Sequence, residues 1–180
     1  MTKKTVAIVG YGDIGKSTAQ RCQAFGLETI IYDPGVDSVD EKSILKKWPD
    51  NIAKCNFIIF TCSLNDSNKH MLNSTTLDMT MNGVRIINVA RGPLINETDL
   101  VDALEKGKVH SAALDVYEQE PLPYSSSLRD QPFCILGSHN SSNTIVLIPS
   151  WRAQDIDNLE DWNRAEKIYK SLHNIRRTRL

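Results

Sequence analysis

No stretch of this 180-residue sequence is apolar for the roughly 20 residues that a membrane-spanning helix requires. The start, Met1-Thr2-Lys3-Lys4, runs into a strand-like segment without the apolar core and cleavage site of a secretory signal. Neither sign of charge is in excess: 21 basic residues face 22 acidic ones, a net charge of -1. No global field therefore draws the chain to nucleic acid or to an anionic membrane, and the expected partner is a small molecule or another protein surface. Cysteine is sparse. Cys22, Cys55, Cys62 and Cys134 form no CxxC pair and have no histidine set at metal-ligand spacing. That argues against a zinc or disulfide framework and for reduced thiols in a cytoplasmic protein. Internal repeats and low-complexity segments are absent as well.

What remains is a globular composition, 41% hydrophobic and 24% charged, long enough to bury a core. Short apolar, β-branched runs alternate with helix-like segments, the pattern of a parallel sheet covered on both faces. Strands are predicted at Thr5–Val9, Glu28–Tyr32, Phe57–Thr61, Val84–Val89, Ser111–Asp115 and Phe133–Leu136. Helices are predicted at Ile14–Phe25, Ser38–Lys46 and Glu97–Lys106, with a looser turn at Leu72–Leu77. Asn96 suits the N-cap of the helix that begins at Glu97, and Gly107 suits its C′ position. Right-handed crossovers would stack these units into an α/β, Rossmann-type doubly wound parallel sheet: one three-layer domain over residues 1–144. Beyond it the pattern changes. Ile156, Leu159, Trp162, Ile168, Leu172 and Ile175 recur at steps near those of an amphipathic helix, which predicts a helical or irregular tail over 145–180.

Gly10-Tyr11-Gly12-Asp13-Ile14-Gly15 is the sharpest feature. A lone GxGxxG is weak, but this one follows the run Val6-Ala7-Ile8-Val9 and opens a predicted helix. Gly10 permits the tight turn, Gly12 lets backbone approach a pyrophosphate, and Gly15 lets helix and strand pack. The helix start then offers unpaired N–H groups to the phosphates. Asp33 ends the second strand about 20 residues on, where a carboxylate accepts from ribose hydroxyls and repels a 2′-phosphate. Alone it would read as a turn aspartate before Pro34; its spacing from the glycines points to NAD over NADP.

Arg91, Glu120 and His139 follow three successive predicted strand ends, where open α/β sheets bind ligands. A guanidinium there can clamp a carboxylate through two parallel bonds. A histidine beside a carboxylate suits proton exchange with a hydroxyl or carbonyl oxygen. Singly, each is more often a solvated surface group. Their joint placement is the signal.

The glycine turn, Asn88-Val89-Ala90-Arg91-Gly92-Pro93-Leu94-Ile95, the stretch from Ala112 to Pro123 and the His139 segment together resemble the cofactor domain of D-isomer-specific 2-hydroxyacid dehydrogenases. The phosphoglycerate dehydrogenase-like branch is nearest in appearance, over roughly residues 3–144. The resemblance implies an NAD-dependent oxidoreductase acting on a small 2-hydroxy or 2-oxo acid. It implies that Arg91 binds substrate carboxylate and carbonyl, that His139 is the general acid and base, and that Glu120 is its partner. Asp115 would hold the nicotinamide carboxamide, and Asp13 and Ile14 would lie on the pyrophosphate. Thr61, Cys62 and Ser63 would line the adenosine side, while Val89, Ala90, Arg91 and His139 would complete the cofactor contacts. Pairing through cofactor domains would make a homodimer.

The sequence also departs from that family. Ser138 and Ser63 stand where proline is usual, which loosens two loops without removing a functional group. The first strand begins so near Met1 that the N-terminal part of a substrate-binding domain is expected to be missing, and Val146–Trp151 does not look like the helix expected after the histidine. Weak turnover at most is expected of this chain by itself. The alternative is a non-catalytic NAD(H)-binding or partner-binding module derived from such an enzyme.

Overall fold

Every residue of the first strand, Thr5–Val9, is buried, so both faces of that strand must be covered. The structure, a computed structural model, describes residues 4–140. Seven parallel strands form one sheet: β1 (Thr5–Val9), β2 (Glu28–Tyr32), β3 (Ser43–Leu45), β4 (Phe57–Phe60), β5 (Val84–Asn88), β6 (Val109–Leu114) and β7 (Cys134–Leu136). Their order across the sheet is β3-β2-β1-β4-β5-β6-β7. The order reverses between β1 and β4, which opens a crevice at the carboxyl ends of those two strands.

Alternate β1 residues serve opposite cores, as the two-residue strand period demands. Val6 and Ile8 join Ala19 of α1 (Asp13–Ala24) and Ile31 of β2 on one side. Ala7 and Val9 join Ile30, Ile58, Ile86 and Leu100 on the other, beneath α2 (Ser74–Asp78) and α3 (Glu97–Glu105). The doubly wound α/β prediction therefore holds, with helices on both faces of a parallel sheet.

One predicted helix is wrong. The segment Ser38–Lys46 contains β3, paired with β2 in the register Thr29↔Ser43, Ile30↔Ile44, Ile31↔Leu45. Asp40 explains the difference. Its carboxylate accepts from the Lys42 amide at 3.0 Å and from Ser43 Oγ at 2.8 Å, while the Ser43 amide bonds the Asp40 carbonyl at 3.0 Å. Such local bonds by aspartate compete with a helix and turn the chain instead. The other predicted elements stand, with ends displaced by one or two residues, and the loose turn near Leu72–Leu77 tightens into α2. The predicted boundary at 144 and the tail over 145–180 lie outside the described residues.

Candidate functional site

The glycine turn closes onto the neighbouring strands. Gly10 has φ 99°, and its amide bonds the Tyr32 carbonyl at 2.9 Å. A Cβ at Gly10 would sit 2.6 Å from the Cys62 amide nitrogen, and one at Gly15 would overlap the Gly10 carbonyl oxygen. These two glycines serve packing. Gly12 does not, since a Cβ there would meet nothing within 4 Å. It is the N-cap of α1 and offers the first turn no side-chain acceptor, although uncapped helix starts are normally satisfied by some acceptor. Open space in front of uncapped amides at Asp13, Ile14 and Gly15 fits a pyrophosphate, and with it a dinucleotide.

Asp33 faces this turn. One carboxylate oxygen accepts from the Tyr11 amide at 2.7 Å and the other from the Gly35 amide at 2.8 Å. A carboxylate has about four lone-pair sites, so both oxygens keep capacity for ribose hydroxyls. Thr61 ties β4 to the turn by donating its hydroxyl to the Val9 and Gly10 carbonyls at 3.1 and 2.9 Å. Cys62 follows, half-buried. Burial pushes its thiol up to about 11, with the nearby Asp33 charge adding to the effect, so it stays neutral as a packing wall. Ser63 is exposed, and its carbonyl accepts from Asn68 Nδ2 at 2.8 Å.

Beyond β5 the buried Asn88 staples the next loop, its side chain accepting from the Ala90 amide at 3.0 Å and donating to the Arg91 carbonyl at 2.9 Å. The Val89 amide reaches Phe60 at 3.4 Å. Arg91 is exposed and extended, and Nη1 donates to the Ala90 carbonyl at 2.6 Å. A Cβ at Gly92 would overlap the Tyr117 carbonyl, so glycine lets the Arg91 loop touch the loop that follows β6. Asp115 is buried at the end of β6, and Gly137 leaves it room, because a Cβ there would overlap the Asp115 carboxylate.

That loop carries Glu120. One of its oxygens accepts from the Tyr117 amide at 3.0 Å, and the other lies 2.7 Å from His139 Nδ1, which follows β7 with φ 62°. Burial pushes the Glu120 carboxyl up, but the His139 and Tyr117 bonds and the charges of His139 and Arg91 outweigh it, leaving the group below the ordinary glutamate range. Tyr117 completes the frame by donating its hydroxyl to the Gly137 carbonyl at 2.7 Å. Arg91, Glu120 and His139 thus gather after β5, β6 and β7. With Nδ1 turned to Glu120, the His139 Nε2 is the ring nitrogen left to meet a ligand.

Sequence reasoning missed a neighbouring set. His70 Nε2 lies 2.8 Å from Glu118 Oε1, and Glu118 and Glu97 exchange amide-to-carboxylate bonds at 2.6 and 3.2 Å. The sequence places Glu97 only at a helix start, and no spacing rule links it to positions 70 and 118. Among the described residues, no group of three metal-ligating side chains could hold an ion.

Comparison with known proteins agrees with this fold. Residues 1–141 match the model of the D-isomer specific 2-hydroxyacid dehydrogenase, NAD binding domain. The D-3-phosphoglycerate dehydrogenase of Bacillus subtilis (strain 168) is 39% identical over 144 residues, which are 78% of this chain and 27% of that protein. The D-3-phosphoglycerate dehydrogenase of Rattus norvegicus is 36% identical over 148 residues, again 78% of this chain and 27% of its own length. Among solved structures, a glyoxylate reductase from Paecilomyes thermophila superposes with TM-score 0.71 at 34% identity, covering 79% of this chain and 44% of that one. The chain thus spans about a quarter of the length of the curated relatives it matches. Through residues 1–141, the chain belongs to the D-isomer-specific 2-hydroxyacid dehydrogenase family as its NAD-binding domain.

Proposed function

We propose that this chain serves hydride transfer between NAD(H) and a small 2-hydroxy or 2-oxo acid, with the machinery on the loops after β5, β6 and β7. The observation that carries it is the 2.7 Å pair of His139 and Glu120, with the Arg91 charge acting on Glu120, on loops at the same carboxyl edge of the parallel sheet as the uncapped glycine turn. The nicotinamide supplies the hydride chemistry when bound. Arg91 clamps the substrate carboxylate and polarises its carbonyl. His139 Nε2 gives or takes the hydroxyl proton, while Glu120 holds the ring orientation through Nδ1 and stabilises the imidazolium. Gly12, Asp13, Ile14 and Gly15 receive the pyrophosphate and Asp33 the adenosine ribose. Thr61, Cys62 and Ser63 would flank the adenosine side, Val89 and Ala90 would complete the cofactor contacts, and Asp115 would hold the nicotinamide carboxamide.

Titration with NADH, paired with a spectrophotometric scan of 2-oxo acids, tests the proposal. In protein that turns over, His139→Ala should abolish reduction while NADH still binds. Unchanged turnover would reject the assignment, and NADH binding without turnover on any 2-oxo acid would favour the sensing module.

Two finer proposals accompany it. A homodimer would cover Phe133 and Ile135, which are 63% and 73% exposed, and light scattering checks the mass. A cytoplasmic location agrees with four free thiols; among the described residues no helix is long and apolar enough to cross a membrane.

A further inference from the structure

Two histidines of this domain adopt the left-handed backbone conformation, His70 at φ 52° and His139 at φ 62°. Each bonds a glutamate of the same short turn after β6: His139 bonds Glu120, and His70 bonds Glu118. Left-handed backbone is uncommon for non-glycine residues and persists where the surroundings over-determine it. His70 is held on three sides. Its amide donates to the Pro93 carbonyl at 2.7 Å, its carbonyl accepts from Asn73 Nδ2 at 2.9 Å, and its ring reaches Glu118 at 2.8 Å. One residue therefore joins the Arg91-Gly92-Pro93 turn through its backbone and the Tyr117–Glu120 turn through its side chain.

The second turn is fixed by carboxylates at consecutive amides. The Tyr117 amide donates to Glu120, and the Glu118 amide donates to Glu97 at the start of α3. Glu118 Oε1 takes two donors in return, the Glu97 amide and His70 Nε2. Three carboxylates, Glu97, Glu118 and Glu120, consequently crowd one loop. Glu97 titrates above the ordinary glutamate range, through burial first and the charges of Glu118 and Glu120 after it. His70 and His139 are the donors that let Glu118 and Glu120 stay bonded in place.

We propose that His70 is a positioning residue, which through Glu118 and Glu97 sets the distance between the Arg91 loop and the Glu120–His139 pair. The proposal rests on the assignment of that pair to proton transfer. Among the described residues, the bonds of His70 run to Pro93, Asn73 and Glu118 and to neither the cofactor turn nor Glu120, so its removal should leave NADH binding intact and disturb the pair. The His70–Glu118 contact is about one-third exposed on both sides, where such a bond adds little to global stability. A role confined to stability would therefore be almost silent at the pair.

The test follows the carboxyl 13C signal of Glu120 with pH and the amide exchange of Tyr117, in wild type and in four variants. His70→Asn tolerates the left-handed backbone but is too short to reach Glu118, and Glu118→Ala removes the bond from the other side. His70→Asn should raise the Glu120 midpoint towards the ordinary glutamate value, and both variants should speed Tyr117 exchange on the order of tenfold. NADH affinity should stay within about twofold, which certifies the fold. His70→Gln keeps a neutral N–H of sufficient reach and should restore both signals, separating the bond from the mere charge of the ring. No change in His70→Asn and Glu118→Ala, or no recovery in His70→Gln, overturns the proposal. His139→Ala reports separately: if it leaves Glu120 unmoved, the pair itself is misassigned, whatever the His70 variants do.

Discussion

Gly12 and Gly15 are separated by a single helical turn and answer to different demands. At Gly15 a Cβ would strike the Gly10 carbonyl, which is backbone and cannot swing aside. Overpacking of that kind costs about 1–3 kcal/mol, so Gly15→Ala should lower chemical-denaturation stability by that amount with or without cofactor. At Gly12 a Cβ would enter open space, and φ is -71°, ordinary for any residue. Gly12→Ala should therefore leave stability within about 0.5 kcal/mol and weaken NADH binding at least about tenfold, read by fluorescence titration. Equal NADH affinity in Gly12→Ala and wild type would mean that the space is not a phosphate seat. Asp40 makes a second prediction. Burial pushes its carboxyl up, but bonds from Tyr11, Ser43, Gln23 and the Lys42 amide bring it from 3.8 down to about 2. A folded value below the unfolded one stabilises above about pH 4, and that contribution is lost as the pH falls towards 2. Thermal scans across that window should show a fall in Tm that Asp40→Asn makes shallower.

Elements with a strong local signature were legible in the sequence, and those without one were not. β1 and α1 could be read because a buried β-branched run, three glycines and a helical stretch stand in fixed order. The α3 start was readable from Asn96, whose side chain accepts from the Asp99 amide at 3.1 Å. Removing such a cap costs about 1 kcal/mol. Asn96→Ala should lower the midpoint of denaturant unfolding accordingly and leave NADH affinity alone; an unaltered midpoint would show that α3 is held by packing only. β3 was misread because its three residues carry no period, and because what turns the chain there is one aspartate bonding its own neighbours. His70 was invisible for another reason. Its partners lie on the loop after β6 and at the start of α3, and only the folded sheet brings positions 70, 97 and 118 together. Arg91, Glu120 and His139 were legible as candidates because each follows a strand end, a position the parallel topology makes common to all three. Their mutual distances were not.

At the scale of the molecule, the proposed ribose carboxylate, Asp33, would link cofactor choice to the integrity of the glycine turn. Asp33 accepts from Tyr11 within the glycine turn and from Gly35 beyond β2, so it braces the glycine turn by itself. A 2′-hydroxyl adds donors to oxygens that can take more, whereas a 2′-phosphate brings two negative charges against one already there. Ligand that binds only the folded state stabilises by mass action, about 2.7 kcal/mol at a hundredfold excess over Kd. NADH should accordingly raise the Tm of the whole domain, and NADPH at equal concentration should raise it distinctly less. Asp33→Asn keeps acceptor capacity for the braces and removes the charge. It should narrow the gap between the two cofactors while the protein without ligand unfolds at nearly the same temperature. If NADPH stabilises the wild type as strongly as NADH, repulsion at Asp33 does not select the cofactor. If Asp33→Asn collapses the unliganded fold, its bracing bonds depend on charge, and selectivity and stability cannot be varied separately at this residue.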